Sequence, residues 1–387
     1  MLNEPSVFST GRAAGEARPP VAATVPQPRV SYPELEAAVQ DVMDIYKVSY
    51  DPPPPAQVAF TGRLRIDSEA AFEQLDAAFG AHDYHALLTT DEAGQHVVLA
   101  IKGRIQPRPR PWWPNAVLVV LTFFSLLYVG AVQQAGIDNR TEVSLWQGLP
   151  YALSLLLILG AHELGHFFAA RYHKVAVTLP YFIPMPLFFF GTLGAFIQLR
   201  EPMRNRKILF DIGAAGPLAG LVVAIPVLLI GLATSNVEPL PSEPYILEGD
   251  SLFYAAAKTL IFGEYLPNGS EDVFINQLAK AGWTGLFITG LNLIPLGQLD
   301  GGHVIYTLLG RRAQRLYLPL VGVFLVLSFF NSSWLLWTLL LFFLGRVYAA
   351  PLDSVTPLDS RRRWLGWFTL VVFVLVFVPN PLNIIQP

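Results

Sequence analysis

Long apolar runs recur along this chain of 387 residues. Several of them reach the roughly 20 residues that an α-helix needs to cross the ~30 Å hydrocarbon core of a bilayer. Only 14% of the residues are charged and 53% are hydrophobic, whereas a soluble domain usually carries about 25% charged residues. The mean hydropathy is +0.44. The sequence therefore predicts a polytopic α-helical membrane protein.

About seven spans are expected from the hydropathy pattern. They are residues 115–132, 149–172, 209–232, 273–296, 316–330, 334–344 and 365–378. Lys and Arg are concentrated in the loops on one side of this arrangement, whereas the 234–272 loop is acidic. Because basic loops stay on the cytoplasmic side, we expect a cytoplasmic N-terminus and an integral protein of the bacterial inner membrane.

The segment 176–200 is apolar but too interrupted for a helix. Its prolines and glycines alternate with aromatic residues, as in Tyr181-Phe182-Ile183-Pro184. Irregular backbone survives at membrane depth only against protein or a wet cavity, because lipid cannot satisfy its amides. We expect a re-entrant β-hairpin here, and a loop lying in the membrane interface is the alternative.

The N-terminal part of the chain is polar and divides in two. Residues 1–30 are rich in Ser, Pro, Ala and Gly and are predicted to be disordered. Residues 31–110 predict a small cytoplasmic α+β domain, with a first helix extending to Tyr46, a second over 68–79 and a hairpin over 84–101. This domain carries no catalytic pattern, so we expect a regulatory or docking role, for example binding of a cytoplasmic adaptor. Residues 111–380 form the predicted membrane domain.

The second predicted span contains the pentad His162-Glu163-Leu164-Gly165-His166. The two imidazoles lie one helical turn apart on the same face, where both can bind one metal ion. Glu163 lies beside them, close enough to accept a proton from water. The chain has no cysteine, so a metal site here must use His, Asp or Glu. The pentad alone is only suggestive, because short motifs recur by chance.

Asp300 is the candidate third ligand. It is expected at the cytoplasmic end of the fourth predicted helix, at the depth of the histidine pair, where a buried charge costs ~2.5–3.5 kcal/mol unless it has a partner. A divalent cation is the expected partner, and capping of a local turn is the alternative. Asn292, two helical turns earlier, could hold the substrate backbone or its oxyanion, or could join two helices. His303 is a reserve ligand, and His173 is expected at the interface.

These motifs resemble those of the site-2 protease family of intramembrane zinc metalloproteases. The resemblance rests on the pentad and on the run from Asn292 to Gly301, Asn-Leu-Ile-Pro-Leu-Gly-Gln-Leu-Asp-Gly. It covers about residues 147–310, and the N-terminal domain resembles the chloroplast and cyanobacterial branch, which lacks a PDZ domain. The resemblance implies one Zn²⁺ bound by His162, His166 and Asp300, with Glu163 as general base. It also implies substrates that are transmembrane proteins, cleaved within the lipid bilayer in regulated proteolysis.

Two other functions remain open from the sequence. A transporter or ion pathway also uses intramembrane His, Glu and Asp, although no repeated halves with paired broken helices are evident. An inactive homologue that binds membrane proteins is the second, although the intact Glu163 argues against it. No basic stripe suggests a nucleic-acid partner.

Overall fold

The computed structural model describes residues 32–105, 107, 109–137, 142–241 and 245–385. The predicted disordered segment 1–30 lies outside these residues. The described residues begin with an α+β domain. Its elements are α1 (Pro33–Val42), β1 (Met43–Ser49), β2 (Ala56–Leu64), α2 (Ser68–Ala81), β3 (Tyr84–Thr90) and β4 (His96–Lys102).

The four strands of this domain form an antiparallel sheet in the order β1-β2-β4-β3. Phe60, Leu75 and Phe79 are fully buried in the core between this sheet and the two helices. The predicted continuation of the first helix to Tyr46 is wrong. The chain leaves the helix at Val42 and runs as an edge strand, with Tyr46 61% exposed.

Among the described residues, four helical segments are long and apolar enough to cross a membrane, namely Trp113–Gly136, Leu145–Tyr172, Arg206–Ala233 and Asp300–Phe330. The first three correspond to α3 (Trp113–Ile137), to α4 (Leu149–Tyr172) with a 3₁₀ turn before it, and to α5 (Arg206–Ala233). They match the first three predicted spans. The protein is therefore a polytopic helical membrane protein.

A short antiparallel hairpin separates α4 from α5. It consists of β5 (Tyr181–Pro184) and β6 (Thr192–Phe196), with Phe182 paired to Ala195. The hairpin turn is fixed to the helices by its carbonyl groups. Ser125 of α3 donates to the Gly191 carbonyl at 2.5 Å, and Tyr151 of α4 donates to the Phe190 carbonyl at 3.0 Å.

The elements after α5 include four short strands. In order they are β7 (Asn236–Pro239), β8 (Tyr245–Glu248), α6 (Leu252–Phe262), β9 (Glu271–Phe274), α7 (Gln277–Asn292), α8 (Asp300–Leu309), α9 (Tyr317–Phe330), α10 (Ser333–Leu344), α11 (Ser360–Val376) and β10 (Leu382–Ile385). β7 pairs with β9, and β8 pairs with β10 near the C-terminus.

The predicted fourth span is wrong in its limits. The helix α7 has 16 residues and ends at Asn292, and α8 begins at Asp300 after an irregular stretch. Pro295 lacks the amide hydrogen that a continuing helix would need, and Gly297 has a φ of 56°, which glycine adopts without strain. Asp300 therefore starts a helix, whereas the sequence placed it at the end of one.

Candidate metal centre

The helix α4 brings the two histidines of the pentad side by side inside the protein. The Nε2 atoms of His162 and His166 are 3.2 Å apart. The residues are 3% and 7% exposed, respectively. The two buried imidazoles lie on one helical face, and their Nε2 atoms point towards the same place.

Asp300 reaches the same point from the first turn of α8. Its Oδ2 lies 3.2 Å from Nε2 of His162, and its Oδ1 lies 3.3 Å from Nε2 of His166. Of the described residues, these three form the group whose ligand atoms all lie within 4.8 Å of one another. The sequence therefore identified residues that are 138 positions apart and meet in space.

The spacing of these atoms fits a zinc ion. Zinc bonds to nitrogen and oxygen are about 2.0–2.2 Å long, so a tetrahedral site separates its ligand atoms by roughly 3.3 Å. The imidazole nitrogens lie 3.2 Å apart, and the two oxygens of Asp300 lie 3.2 Å from Nε2 of His162 and 3.3 Å from Nε2 of His166, which is close to this value. Two imidazoles and one carboxylate also leave the fourth position that a catalytic zinc keeps open.

The tautomer of His166 is fixed by a backbone group of α5. Its Nδ1–H donates to the carbonyl of Ile212 across 2.6 Å. Nε2 is then the unprotonated nitrogen, with its lone pair free for a metal, which is the usual arrangement for a metal-binding histidine. Because the acceptor is a main-chain carbonyl, no side-chain signal in the sequence points to it.

Two glycines of α5 make room for the imidazoles. A Cβ atom at Gly216 would collide with Nε2 of His166, and one at Gly220 would lie 3.2 Å from Cβ and Nδ1 of His162. A third glycine, Gly165 of α4, also lies in this contact between the two helices, where it packs directly against the backbone of α5 at Ala215. The helices can therefore approach closely enough for α5 to support the site although it contributes no ligand.

The start of α5 is fixed by Asp211, next to the Ile212 carbonyl. Arg362 of α11 donates to both carboxylate oxygens, from Nε at 2.7 Å and from Nη2 at 2.6 Å. Nε2 of His173, at the end of α4, lies 2.8 Å from Oδ2 of the same carboxylate. Sequence reasoning missed Asp211 and Arg362, because a pair separated by 151 positions has no local pattern.

The candidate ligands open onto a cavity of about 210 Å³. Glu163 lines it beside the histidines and is only 4% exposed. Asn292 also lines it, with Nδ2 3.4 Å from Nε2 of His162. His303, the reserve ligand, lines the cavity but is not in the three-residue group.

The hairpin forms part of the wall of the cavity. Ala195 and Phe196 of β6 line it, together with the next residue, Ile197. A carboxylate, an amide side chain and a short strand thus surround the histidines and Asp300. The arrangement can hold a metal ion, water and an extended piece of polypeptide.

Comparison with known proteins agrees with these features. Residues 150–329 match the profile of peptidase family M50. The probable zinc metalloprotease EGY2, chloroplastic, of Oryza sativa subsp. indica is 30% identical over 353 residues, which are 87% of this chain and 64% of that protein. The protein of the same name from Arabidopsis thaliana is 30% identical over 355 residues, 87% of this chain and 63% of that protein.

A second Arabidopsis thaliana relative, the probable zinc metalloprotease EGY1, chloroplastic, is 34% identical over 238 residues, 60% of this chain and 43% of that protein. The chain thus spans somewhat under two thirds of the length of the curated relatives it matches. No solved structure matches it. The named relatives are chloroplastic, so the expected bacterial inner membrane has no support from them. The resemblance to the site-2 proteases is confirmed by the match of residues 150–329 to peptidase family M50.

Proposed function

We propose that this protein is a zinc-dependent intramembrane endopeptidase that hydrolyses peptide bonds in or near transmembrane segments of membrane proteins. One observation carries the proposal: the ligand atoms of His162, His166 and Asp300 converge within 4.8 Å beside a buried Glu163. The names of the relatives, which are probable zinc metalloproteases, support the same activity. Nothing in the cavity favours a transporter, because the polar residues form one cluster rather than a path.

His162, His166 and Asp300 would hold the zinc ion. A zinc ion in this position supplies a Lewis acid that polarises the scissile carbonyl and makes water more acidic. The carboxylate of Glu163 takes the proton of the attacking water and passes it to the leaving nitrogen, as a general base and then a general acid. Glu163 lies beside the histidines, within reach of the attacking water and of the leaving nitrogen. Its burial shields the carboxylate from bulk water.

Asn292 is proposed to orient the substrate. Its side-chain amide lies at the edge of the metal group, 3.4 Å from Nε2 of His162. From there Nδ2 can donate to the carbonyl oxygen of the substrate as charge develops on it, and such donors stabilise an oxyanion. A contact between helices is the other role open to it, and the kinetics of Asn292→Ala separate the two. Loss of kcat with normal stability supports substrate orientation.

A transmembrane substrate reaches the site with its peptide bonds paired inside a helix. It must unwind locally, and the freed strand needs hydrogen-bonding partners. In the described residues, β6 pairs only with β5, and its residues Ala195 and Phe196 face the cavity. We infer that the hairpin is re-entrant and that the substrate adds to it as a third strand.

The topology is proposed to have seven spans. Besides the four segments of sufficient length, α7, α10 and α11 are helices of 16, 12 and 17 residues. With seven spans, the basic loops and the N-terminal domain lie on the cytoplasmic side. A regulatory role of that domain, and binding of an adaptor to it, stay predictions.

The direct test is cleavage of a panel of single-span membrane proteins by the full chain in bilayers. Wild type is expected to cleave at least one of them. Glu163→Gln keeps the shape and burial of the side chain but cannot accept the proton, so it should keep its zinc and lose turnover. Equal cleavage by both proteins would remove the protease assignment.

A further inference from the structure

The sheet of the N-terminal domain does not end at its edge strand β3. Leu88, in the middle of β3, pairs in parallel with Asp353, which lies in the connection between α10 and α11. The N–H of Leu88 donates to the carbonyl of Leu352 at 2.8 Å, and the N–H of Ser354 donates back to the Leu88 carbonyl at 3.0 Å. Residues 352–354, here called the bridge segment, thus add a strand to the domain.

The opposite edge of the bridge segment pairs with the chain just before α5. The N–H of Leu352 donates to the Met203 carbonyl at 2.9 Å, and the N–H of Asp353 donates to the Arg204 carbonyl at 2.7 Å. Asp353 also forms a parallel bridge with Asn205. Continuous backbone hydrogen bonding therefore runs from the domain, through the bridge segment, to residues 203–205.

Side chains hold the bridge segment to the domain. Leu352 is 8% exposed and belongs to the hydrophobic core of the domain. Asp353 is fully buried, and its Oδ1 accepts from the N–H groups of Val355 and Thr356 at 2.9 and 3.0 Å. The hydroxyl of Thr356 then reaches Ser68, at the start of α2, at 2.9 Å.

Two further contacts join the domain directly to the membrane domain. Lys207, in the first turn of α5, forms an ion pair with Glu69 of α2 at 2.7 Å. Arg311, which follows α8, donates from Nη2 to the hydroxyl of Thr89 at 2.7 Å. The domain is thus also attached to the turn after α8, the helix that starts at Asp300, and to α5, the helix that packs against His166.

Residues 203–205 form part of the metal centre's surroundings. Met203 is 6% exposed and lines the cavity. Asn205 caps α5, its side chain accepting from the N–H of Ile208 at 3.0 Å, and α5 carries the Ile212 carbonyl that orients His166. A shift of this short strand would move one wall of the cavity and the start of that helix together.

We propose that the N-terminal domain is a positioning module of the catalytic site, acting through the bridge segment on residues 203–205. The proposal rests on the proposed protease function. A docking module would be needed only by substrates or adaptors that touch it. A positioning module is needed for every substrate, because a misplacement of about 1 Å in a catalytic site can cost up to a hundredfold in rate.

Proline variants separate the two edges of the bridge segment. Leu352→Pro removes the N–H that bonds Met203, and Ser354→Pro removes the N–H that bonds Leu88. Tyr46→Ala, on the exposed edge strand β1 of the same sheet, is the matched control. The full chain is assayed in bilayers with a single-span substrate that has no cytoplasmic tail and so cannot touch the domain. We expect both prolines to lower kcat by about tenfold or more, with KM and zinc content unchanged, and Tyr46→Ala to behave as wild type.

Rescue by cross-linking distinguishes positioning from misfolding. The chain has no cysteine, so Glu69→Cys and Lys207→Cys give one unique pair for a short bifunctional thiol reagent. Cross-linking in the Ser354→Pro background should restore kcat. Wild-type kcat in both proline variants, with the Leu88 amide exchanging freely, would overturn the proposal. Loss of zinc from the Ser354→Pro variant that cross-linking does not restore would also overturn it. If wild type itself cleaves nothing, the proposed function fails instead.

Discussion

The imidazole of His166 takes its orientation from Ile212, whose carbonyl accepts the Nδ1–H across 2.6 Å. This bond joins the helix that carries the candidate metal-binding pentad to a helix that supplies no candidate ligand. The metal centre therefore depends on the fit between α4 and α5. Substitutions on α5 should change metal binding although they leave every proposed ligand in place.

Gly216→Ala tests that fit. The added methyl group would occupy the position of Nε2 of His166, so the imidazole must turn away from Asp300. We expect loss of most bound zinc and of cleavage, measured as zinc per chain on the purified protein and as turnover of a single-span substrate.

The matched control is Gly160→Ala, on the same helix as the pentad. A Cβ atom at Gly160 would meet nothing within 4 Å, and alanine favours a helix by up to about 1 kcal/mol over glycine. This variant should keep its zinc and its turnover. Equal zinc in the two alanine variants would show that the contact between α5 and His166 does not control the site.

Asp211→Asn tests the attachment of the first turns of α5. Removing the charge weakens the paired hydrogen bonds from Arg362 and the contact with His173, so the Ile212 carbonyl is held less firmly. Outer partners of metal ligands typically affect metal affinity by 10–100-fold. We expect a loss of about tenfold in zinc affinity, measured by competition with a chelator.

Asp359→Asn is the control for Asp211→Asn. Asp359 pairs with the same Arg362 at 2.5 Å and caps α11, but it has no hydrogen bond to α5 among the described residues. Asparagine still caps a helix, so zinc affinity should stay at the wild-type value. A similar loss in both variants would assign the effect to Arg362 alone.

The sequence was sufficient for the parts of this protein that depend on local pattern. The second span was predicted over 149–172, and α4 covers Leu149–Tyr172. The spacing of the histidines indicated the pentad, and a charged residue expected at the depth of the histidine pair indicated Asp300. The break after Asn292 was missed because the apolar pattern continues through Pro295, although the proline itself could have indicated it.

Long-range contacts were not predictable in the same way. The Asp211–Arg362 pair and the parallel bridge of Leu88 with Asp353 join segments far apart in the chain. Nothing in either segment alone indicates its partner. The first helix is predicted to extend to Tyr46 because apolar residues recur at helical spacing. In the structure, Met43–Ser49 instead form backbone hydrogen bonds with β2.

The hairpin is tested by Ala195→Pro or Leu193→Pro. Proline removes an amide hydrogen from β6 and is poorly tolerated where a strand must accept a partner. If the substrate adds to this edge, both variants should lose cleavage and keep their zinc, since the ligands lie on α4 and α8. Leu193→Ala, which changes only a side chain that is 53% exposed, should cleave normally. Normal turnover in both proline variants would exclude strand addition at β6.

The N-terminal domain should become less stable in mild acid because of His85. Burial, with Arg104 adding to it, lowers the pKa of the imidazole below its ordinary value of about 6.5. The unfolded chain therefore binds this proton at a higher pH than the folded domain does. The contribution of His85 to the free energy of unfolding is complete above about pH 6.5 and falls as the pH drops towards the lowered pKa.

Hydrogen exchange at the amides of β3 measures this effect in the full chain. Protection, corrected for intrinsic exchange, should be lower at about pH 5.5 than at about pH 7 in the wild type. His85→Leu removes the titrating group, so the difference between the two pH values should shrink. An unchanged difference in that variant would assign the pH dependence to other groups.

Zinc content tests most directly whether the two distant motifs form one zinc site. Wild type and Asp300→Ala are purified in parallel, and bound zinc is counted per chain after equilibration with a weak chelator. We expect one zinc ion per chain in the wild type and little in Asp300→Ala, because two imidazoles alone bind too weakly. The same zinc content in both proteins would contradict the assignment of Asp300 as the third ligand.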